Sequence, residues 1–157
     1  MILYHGTNVE FDRIDLTRSK PNKDFGQGFY LLDDINQAQE MAQTKVDQLE
    51  IGNPIVMSYD VDETKMNSLR LLRFDTYSEE WAKFILLNRN NPNREPAHDY
   101  DIVIGPIAND RVGVQLWKYE THSIDLPTLV RNLRYMKGVT IQYFFGTENA
   151  IKLLKRI

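Results

Sequence analysis

The sequence contains no cysteine, and this absence excludes several kinds of chemistry at once. Disulfide bonds, thiolate metal sites and a cysteine nucleophile all require a residue type that the chain lacks. The chain also has no apolar run that approaches the roughly 18 residues of a membrane-spanning helix. Its first residues, MILYH, leave no room for a basic segment followed by an apolar one, so we expect no signal peptide. We therefore expect a cytoplasmic protein without a membrane partner.

An excess of basic charge is absent as well, since 19 lysines and arginines face 22 aspartates and glutamates. The net charge is −3 and the isoelectric point is about 5.6, so we expect no broad, non-specific nucleic-acid interface. A local basic pocket stays compatible with these values. Hydrophobic residues make up 42% of the 157 residues, which is enough for one core, and no repeat interrupts the chain. We therefore expect a single domain over residues 1–157.

Short apolar runs predict the strands of the fold. The first run is closed by Gly6, the run at 55–61 alternates apolar and polar residues, and the run at 102–105 has the composition of a buried strand. The predicted strands span residues 2–4, 29–32, 55–61, 102–105 and 140–145.

Helices are predicted where a capping side chain precedes a helical apolar pattern. Polar, glycine- or proline-bearing stretches at 16–28 and 89–100 are predicted as loops. The expected helix starts are Asp34, Ser78, Asp125 and Thr147, the expected ends are Gly52 and Gly138, and the last helix is expected to reach Leu154 and to end in a basic turn of Lys152, Lys155 and Arg156. Because helices and strands mix without regular βαβ alternation, we expect an α+β fold with a split, mainly antiparallel sheet and flanking helices.

The first segment with possible chemistry is YHGT at residues 4–7, at the end of the first predicted strand. His5 can donate or accept a hydrogen bond, and Gly6 would let a ligand approach the backbone closely. The alternative interpretation is a strand-end turn that carries a partly buried histidine.

The second segment is DFGQGFY at residues 24–30, where Gly26 and Gly28 precede two aromatic residues that enter a strand. This pattern indicates a tight bend that places the Tyr30 ring beside a cleft, where a flat heterocycle could stack. The alternative is a β-bulge or a hairpin bend. A kinase is excluded because the lysine strand and the His-Arg-Asp loop are missing, and a dinucleotide fingerprint is excluded because the glycines precede a strand.

The third segment is the strand TIQYFF at residues 140–145, in which Gln142 is a polar residue among apolar ones. Strand alternation places Gln142 and Phe144 on one face. The alternative is an exposed or edge glutamine, since most glutamines are solvated.

Other polar residues give weaker signals. A metal site is not expected at His98, Asp99 and Asp101, because no second histidine stands at ligand spacing. Asp60, Asp62 and Glu63 are interpreted as a solvated strand end. Asn88, Arg89 and Asp110 are functional candidates, with a turn cap as the alternative for Asp110 and a surface ion pair as the alternative for Arg89.

Taken together, the segments resemble the ADP-ribosyltransferase superfamily, in the branch with a His-Tyr-Glu triad to which diphtheria toxin and the poly-ADP-ribose polymerases belong. The chain is most similar to a bacterial family of that superfamily known as domain of unknown function 3990. The matching stretches are YHGT (4–7), DFGQGFYLLDD (24–34), PIVMSYDVD (54–62), FDTYSEEWAKFILLNRN (74–90), DYDIVIGPIANDRV (99–112) and IQYFFGTENAIKLL (141–154).

The resemblance implies a role in NAD+ binding for each of several residues. His5 resembles the triad histidine that hydrogen-bonds the adenosine ribose, and Gly6 the glycine whose backbone holds the nicotinamide amide. Thr7 stands where a serine or threonine often assists, and Gly28 belongs to the same NAD+-binding set. Tyr30 resembles the tyrosine that stacks on nicotinamide.

Gln142 falls at the third triad position, where the superfamily pattern has a glutamate. That glutamate accepts a hydrogen bond from the nicotinamide ribose and stabilises the oxocarbenium-like transition state through its charge. A glutamine keeps the hydrogen-bonding carbonyl but loses the full negative charge. Such a loss corresponds to about 10²–10³ in rate, and the glutamine is also less able to deprotonate a nucleophile.

The resemblance implies an NAD+-dependent mono-ADP-ribosyltransferase that uses NAD+ as substrate and no metal. The implied partners are NAD+, an unidentified acceptor that is a protein or a nucleic acid and, if the chain is the toxin of a toxin–antitoxin pair, a small antitoxin protein. Gln142 keeps two alternatives open. One is an NAD+ glycohydrolase with water as acceptor, and the other is a catalytically silent NAD+- or nucleotide-binding or interaction module.

Overall fold

The computed structural model of the chain describes residues 1–109, 111–134 and 138–157. Within these residues, seven strands and six α-helices follow one another, with a short 3-10 helix at Leu16–Arg18. The strands are β1 (Ile2–Thr7), β2 (Phe29–Leu32), β3 (Ile55–Asp60), β4 (Leu71–Arg73), β5 (Ile102–Pro106), β6 (Ile141–Phe145) and β7 (Lys155–Arg156). The helices are α1 (Ile35–Leu49), α2 (Glu63–Asn67), α3 (Glu79–Arg89), α4 (Val112–Glu120), α5 (Leu126–Leu133) and α6 (Glu148–Ile151).

All seven strands form one sheet in the order β4-β5-β6-β2-β1-β3-β7. The β4–β5 pair is parallel and the other neighbours are antiparallel, which confirms the α+β class with a mainly antiparallel sheet. β1 pairs with β3 along its whole length, whereas Tyr4–Leu32 is the registered pair that joins β1 to β2. The sheet is therefore open at its centre, where β1 and β2 diverge beyond this pair.

The two faces of the sheet bury separate hydrophobic clusters. The first cluster lies under α3, α4 and α5, and strand alternation directs Phe144 into it; the second contains the neighbouring Tyr143 and Phe145. Fully buried members of the first cluster include Phe25, Trp81, Ile85 and Leu129, and those of the second include Leu3, Leu31, Met57 and Phe145. None of the helices in the described part of the chain combines the length and apolarity needed to cross a bilayer.

Four side chains that were predicted to cap helices do so. Each is extended at its own backbone and accepts a hydrogen bond from an amide two or three residues later, which satisfies a donor that the helix leaves free. The bonds are Asp34 to the amides of Asn36 and Gln37 (2.8 and 3.3 Å), Ser78 to Trp81 (3.1 Å), Asp125 to Thr128 (2.9 Å) and Thr147 to Ala150 (3.2 Å).

Two predicted element ends were wrong near the amino terminus. β1 does not close at Gly6, because Gly6 pairs with Val56 and the strand continues to Thr7. α1 does not run to Gly52, because Glu50 itself takes the left-handed conformation (φ 54°) and donates its amide hydrogen to Val46. The left-handed helix end was expected at a glycine, and here a glutamate adopts it.

The carboxy-terminal segment also differs from the prediction. The last helix ends at Ile151 and does not include Leu154. Lys155 and Arg156 form β7 against β3, so they are not the basic last turn of a helix. The Arg156 guanidinium donates to the Glu10 carboxylate at 2.6 Å. This contact joins the two ends of the chain, and no local sequence pattern predicts it.

Besides β7, the elements that were not predicted are α2, β4, α4 and the 3-10 helix at Leu16–Arg18, which lies in the segment predicted as a loop. Asp62, which was interpreted as part of a solvated strand end, caps α2 by accepting from the Thr64 amide at 2.9 Å. The helix that begins after Asp125 is described as far as Leu133, and the predicted end near Lys137 lies outside the described residues.

Candidate functional site

His5 bridges the opening between β1 and β2. Its Nδ1 lies 2.8 Å from the Tyr30 carbonyl oxygen, and because a carbonyl only accepts, Nδ1 carries the hydrogen. Burial, with a smaller contribution from the Lys45 ammonium group, lowers the pKa of His5 to about 3. The neutral ring therefore leaves Nε2 as a lone-pair acceptor, and no hydrogen-bond partner for Nε2 occurs in the described part of the chain.

The histidine ring is also fixed by aromatic contacts. Its centroid lies 4.3 Å from that of Phe29 and 5.8 Å from that of Phe11. His5 sits inside a strand that continues to Thr7, so the alternative of a strand-end turn does not apply. Position and protonation state are thus both set by the fold.

Close packing of α1 against β1 requires glycine at position 6. A Cβ atom here would lie 2.2 Å from the Ala38 carbonyl oxygen and 2.9 Å from the Ala42 amide nitrogen, so the missing side chain lets α1 approach β1. The Gly6 carbonyl accepts a hydrogen bond from the Lys45 ammonium at 2.9 Å. Lys45 follows Ala38 and Ala42 on one face of α1, and burial lowers its pKa to about 8, with a contribution from the Lys23 ammonium.

Tyr30 fastens the preceding bend to β2. Its hydroxyl donates to the Gly26 carbonyl at 2.7 Å and accepts from the Phe25 amide at 3.0 Å, and burial raises the pKa of this phenol. The ammonium of Lys23 lies over the ring, 4.9 Å from its centroid. A cation therefore lies against one face of the ring, and stacking of a flat heterocycle on Tyr30 stays a prediction.

The bend at residues 24–28 is a turn before β2, since the Gly26 amide donates to the Lys23 carbonyl at 3.0 Å. It is neither a bulge nor a hairpin. Gly26 has φ +101°, which favours glycine, and a Cβ at Gly28 would lie 2.2 Å from the Phe144 ring. The Gly28 amide donates to the Ser19 hydroxyl at 3.3 Å. Packing accounts for both glycines, and NAD+ contact by Gly28 stays a prediction.

Gln142 is buried, with 8% of its surface exposed, and lies on β6 between β5 and β2. The interpretation as an exposed or edge glutamine was wrong. Its Nε2 lies 3.5 Å from Asp24 Oδ2 and 3.4 Å from the Pro106 carbonyl oxygen, both at the long end for hydrogen bonds. The residue that occupies the expected carboxylate position is thus next to a carboxylate.

That carboxylate is held by Arg89, whose Nε and terminal nitrogen donate to Asp24 Oδ1 at 2.9 and 2.7 Å. The Asp24 side chain is 12% exposed and that of Arg89 35%, so the pair is partly buried and is not the surface ion pair considered as an alternative for Arg89. Asp24 received no role from the sequence, although it begins the glycine bend. Lys23 and Lys45 were missed as well, because only the tertiary fold brings them to Tyr30 and Gly6.

Other predicted residues lie apart from this group or use their polar atoms elsewhere. The buried Thr7 hydroxyl donates to the Val9 carbonyl at 3.1 Å, within a local turn. The Asn88 amide donates to the Phe84 carbonyl of its own helix at 2.8 Å. Asp110 lies outside the described residues.

His98 anchors the loop that follows α3. Its Nδ1 accepts from the Tyr100 amide at 3.1 Å, so Nε2 carries the hydrogen and donates to the Phe25 carbonyl at 2.7 Å, and burial lowers the pKa. Asp99 pairs with Arg70, and Asp101 accepts from the Thr147 hydroxyl at 2.6 Å. Within residues 1–109, 111–134 and 138–157, no group of three or more His, Asp or Glu side chains is placed to hold a metal ion.

A cavity of about 780 Å³ opens on the outer side of the glycine bend. Gly26, His98 and Phe144 line it together with several asparagines, whereas His5, Gly6, Tyr30 and Gln142 do not. The residues predicted to bind NAD+ therefore lie outside this cavity. His5 and Gly6 lie on β1 and Tyr30 on β2, the two strands that diverge at the centre of the sheet.

Comparisons with known proteins return one match. A family model described as "Protein of unknown function (DUF3990)" matches residues 1–156. No curated protein matches the chain. No solved structure matches it either.

Proposed function

We propose that this chain, which belongs to the DUF3990 family of proteins of unknown function, binds NAD+ at the opening between β1 and β2 and transfers ADP-ribose from it to a macromolecule. The observation that carries the proposal is the bond from His5 to the Tyr30 carbonyl. It joins the two strands and places the hydrogen on Nδ1. Because burial keeps the ring neutral, Nε2 is free to accept from a ribose hydroxyl.

The charges around the opening suit a dinucleotide. Lys23 and Lys45 place two partly desolvated ammonium groups beside Tyr30 and Gly6, where a diphosphate would find two donors. The Tyr30 ring already holds a cation against its face, and the pyridinium ring of NAD+ is itself a cation. In this proposal the pyridinium ring takes the place of the Lys23 ammonium.

The reaction breaks the bond between the nicotinamide nitrogen and C1′ of its ribose, and nicotinamide leaves with the electron pair. The ribose becomes an oxocarbenium-like cation, to which an acceptor oxygen or nitrogen adds its lone pair and then releases a proton to solvent. The Gln142 carbonyl would supply a dipole to this cation, where a carboxylate would supply a full charge. Turnover slower by about 10²–10³ than with a carboxylate is the expected consequence.

Calorimetric titration of the pure protein with NAD+ tests whether the proposed site binds NAD+. We expect binding by the wild type and a loss of at least about tenfold in His5→Ala, equivalent to about 1.4 kcal/mol. His122→Asn is the matched control, because His122 is exposed, lies after α4 and has a positive φ that asparagine tolerates. Equal affinity in wild type and His5→Ala would contradict the proposed site.

Incubation with labelled NAD+ and a cell lysate then identifies the reaction. Label on a protein or nucleic acid, absent with His5→Ala, is the expected result. Free ADP-ribose without labelled macromolecule would identify an NAD+ glycohydrolase. Binding without any turnover would identify a silent NAD+-binding module, which Gln142 specifically favours, and absence of binding would leave an interaction module.

A cellular test addresses the toxin hypothesis. We expect expression of the wild-type chain to arrest growth and His5→Ala to relieve the arrest, and a small protein encoded beside the gene to protect the cells. Unimpaired growth with the wild type would overturn the toxin assignment and leave the enzymatic proposal to the assays above.

A further inference from the structure

We propose that Asp24 is the positioning residue for Gln142: its carboxylate keeps the amide nitrogen of Gln142 inside the protein, so that the amide oxygen is the atom offered to the substrate. The identity of that substrate rests on the proposed function. The orientation of the amide does not, and it is argued from the contacts alone.

The first step concerns the hydrogen-bond partners of the Gln142 amide nitrogen. Its nitrogen has two hydrogens, and two acceptors face it, Asp24 Oδ2 at 3.5 Å and the Pro106 carbonyl oxygen at 3.4 Å. Both partners are acceptors only, so the flipped amide would place its oxygen against two other oxygens. The contacts therefore define which end of the amide points inward.

The second step concerns the oxygen at the other end of the amide. No described residue donates a hydrogen bond to Gln142 Oε1, and among the described residues no buried side-chain oxygen or nitrogen lacks a partner. Oε1 is therefore not sealed in the core. It is an acceptor that is left open to a ligand hydroxyl or to a developing positive charge.

The third step is the anchoring of Asp24 itself. Arg89, in the last turn of α3, grips Oδ1 with two nitrogens at 2.9 and 2.7 Å. A carboxylate that is 12% exposed needs such a partner, and with Oδ1 held by Arg89 the other oxygen, Oδ2, is the one that faces Gln142.

This arrangement also explains why residue 142 is a glutamine in a position where the superfamily pattern has a glutamate. A second carboxylate would face both the Asp24 carboxylate and the Pro106 carbonyl, and like charges at this distance disfavour ionisation of both. An amide fits the two acceptors without repulsion. A glutamine at residue 142 is thus compatible with the Asp24 carboxylate where a glutamate is not.

Two variants test the proposal through NAD+ turnover. In Asp24→Asn, Arg89 retains the side-chain oxygen, so the introduced amide nitrogen faces Gln142 and turns the Gln142 nitrogen outward. We expect kcat to fall by about 10²-fold with KM little changed. In Asp24→Asn/Gln142→Glu, one carboxylate oxygen accepts from the introduced amide and the other faces the substrate, so we expect kcat to recover to at least the wild-type value.

A control separates positioning from loop anchoring. Asn22 ties the same loop to the end of α3 by donating to the carbonyls of Arg89 and Asn91 at 3.1 and 2.7 Å, without touching Gln142. Asn22 has a left-handed backbone (φ 62°), so glycine removes its side-chain bonds without adding strain, and we expect Asn22→Gly to leave kcat unchanged. If Asn22→Gly reproduces the loss in Asp24→Asn, or if the double variant stays as impaired as the single one, the positioning role is overturned.

A readout without NAD+ keeps this inference separate from the proposed function. The side-chain amide hydrogens of Gln142, assigned in ¹H–¹⁵N spectra by their disappearance in Gln142→Glu, are expected to exchange slowly with solvent in the wild type and at least about tenfold faster in Asp24→Asn. If the wild type does not turn over NAD+ but this change occurs, the proposed function fails and the positioning role holds. Unchanged exchange overturns the positioning role whatever the activity.

Discussion

Burial holds the pKa of His5 at about 3, against 6.5 for a free histidine, and this difference couples the stability of the protein to pH. Between these two values the unfolded chain binds more protons at this position than the folded chain does. The free energy of unfolding is therefore expected to fall as the pH drops below about 6.5, by up to about 1.4 kcal/mol per pH unit from this residue, until pH 3 is approached.

Urea denaturation at pH 7, 6 and 5 checks this expectation when wild type is compared with His5→Asn. Asparagine retains an N–H donor for the Tyr30 carbonyl but has no proton to gain, so its stability is expected to fall less steeply with decreasing pH. Parallel pH dependences in the two proteins would mean that His5 is not the group responsible.

The sequence predicts the role of a side chain well when the residues it contacts are close in the chain, and poorly when they are distant. His5, Tyr30 and Gln142 were singled out because unusual residue types stand in strand patterns. Asp24 was not given a role, because its partners Arg89 and Gln142 are 65 and 118 residues away along the chain. Burial of Gln142 likewise depends on the strands that flank β6, which no local pattern specifies.

Among the secondary-structure elements, α1 packs closely against β1 at Gly6. Gly6→Ala would place a methyl group 2.2 Å from the Ala38 carbonyl, and the backbone of a helix cannot yield as a flexible side chain does. We expect a loss of about 1–3 kcal/mol or more in the free energy of unfolding, with displacement of Lys45 from the Gly6 carbonyl. Chemical denaturation measures the loss.

Gly113→Ala is the matched control for this prediction. Gly113 lies in α4, and a Cβ there would have no atom of the described residues within 4 Å. Alanine in a helix is expected to stabilise the protein by about 0.4–1 kcal/mol. A Gly6→Ala protein as stable as wild type would show that α1 is not seated on β1 as described.

Elements were predictable where local chemistry specifies them. Helix starts could be predicted because a capping side chain bonds to the amide of a residue only two or three positions later. The caps that were predicted in this way are Asp34, Ser78, Asp125 and Thr147. β4 and β7 are three and two residues long, and they are strands because β5 and β3 pair with them. A strand created by its neighbour leaves little periodicity in the sequence.

For the whole molecule, the central sheet joins two hydrophobic clusters that do not share residues. Both clusters depend on the same strands, since Phe144 enters one and Phe145 the other from adjacent positions of β6. Loss of either cluster would expose one face of the sheet. The prediction of a single domain over residues 1–157 therefore becomes a prediction of one cooperative unfolding transition.

Leu3→Ala and Leu129→Ala test this prediction from opposite faces, because both side chains are fully buried. Each is expected to lower the free energy of unfolding by about 2–5 kcal/mol, and the pair to add within about 0.5 kcal/mol because the sites share no partner. Tryptophan fluorescence reports on the first cluster through Trp81, and far-ultraviolet circular dichroism reports on the whole chain. Coincident transitions with an unchanged m value are expected in all three variants. Two separated transitions would show that the clusters on the two faces of the sheet unfold independently, and would contradict a single cooperative domain.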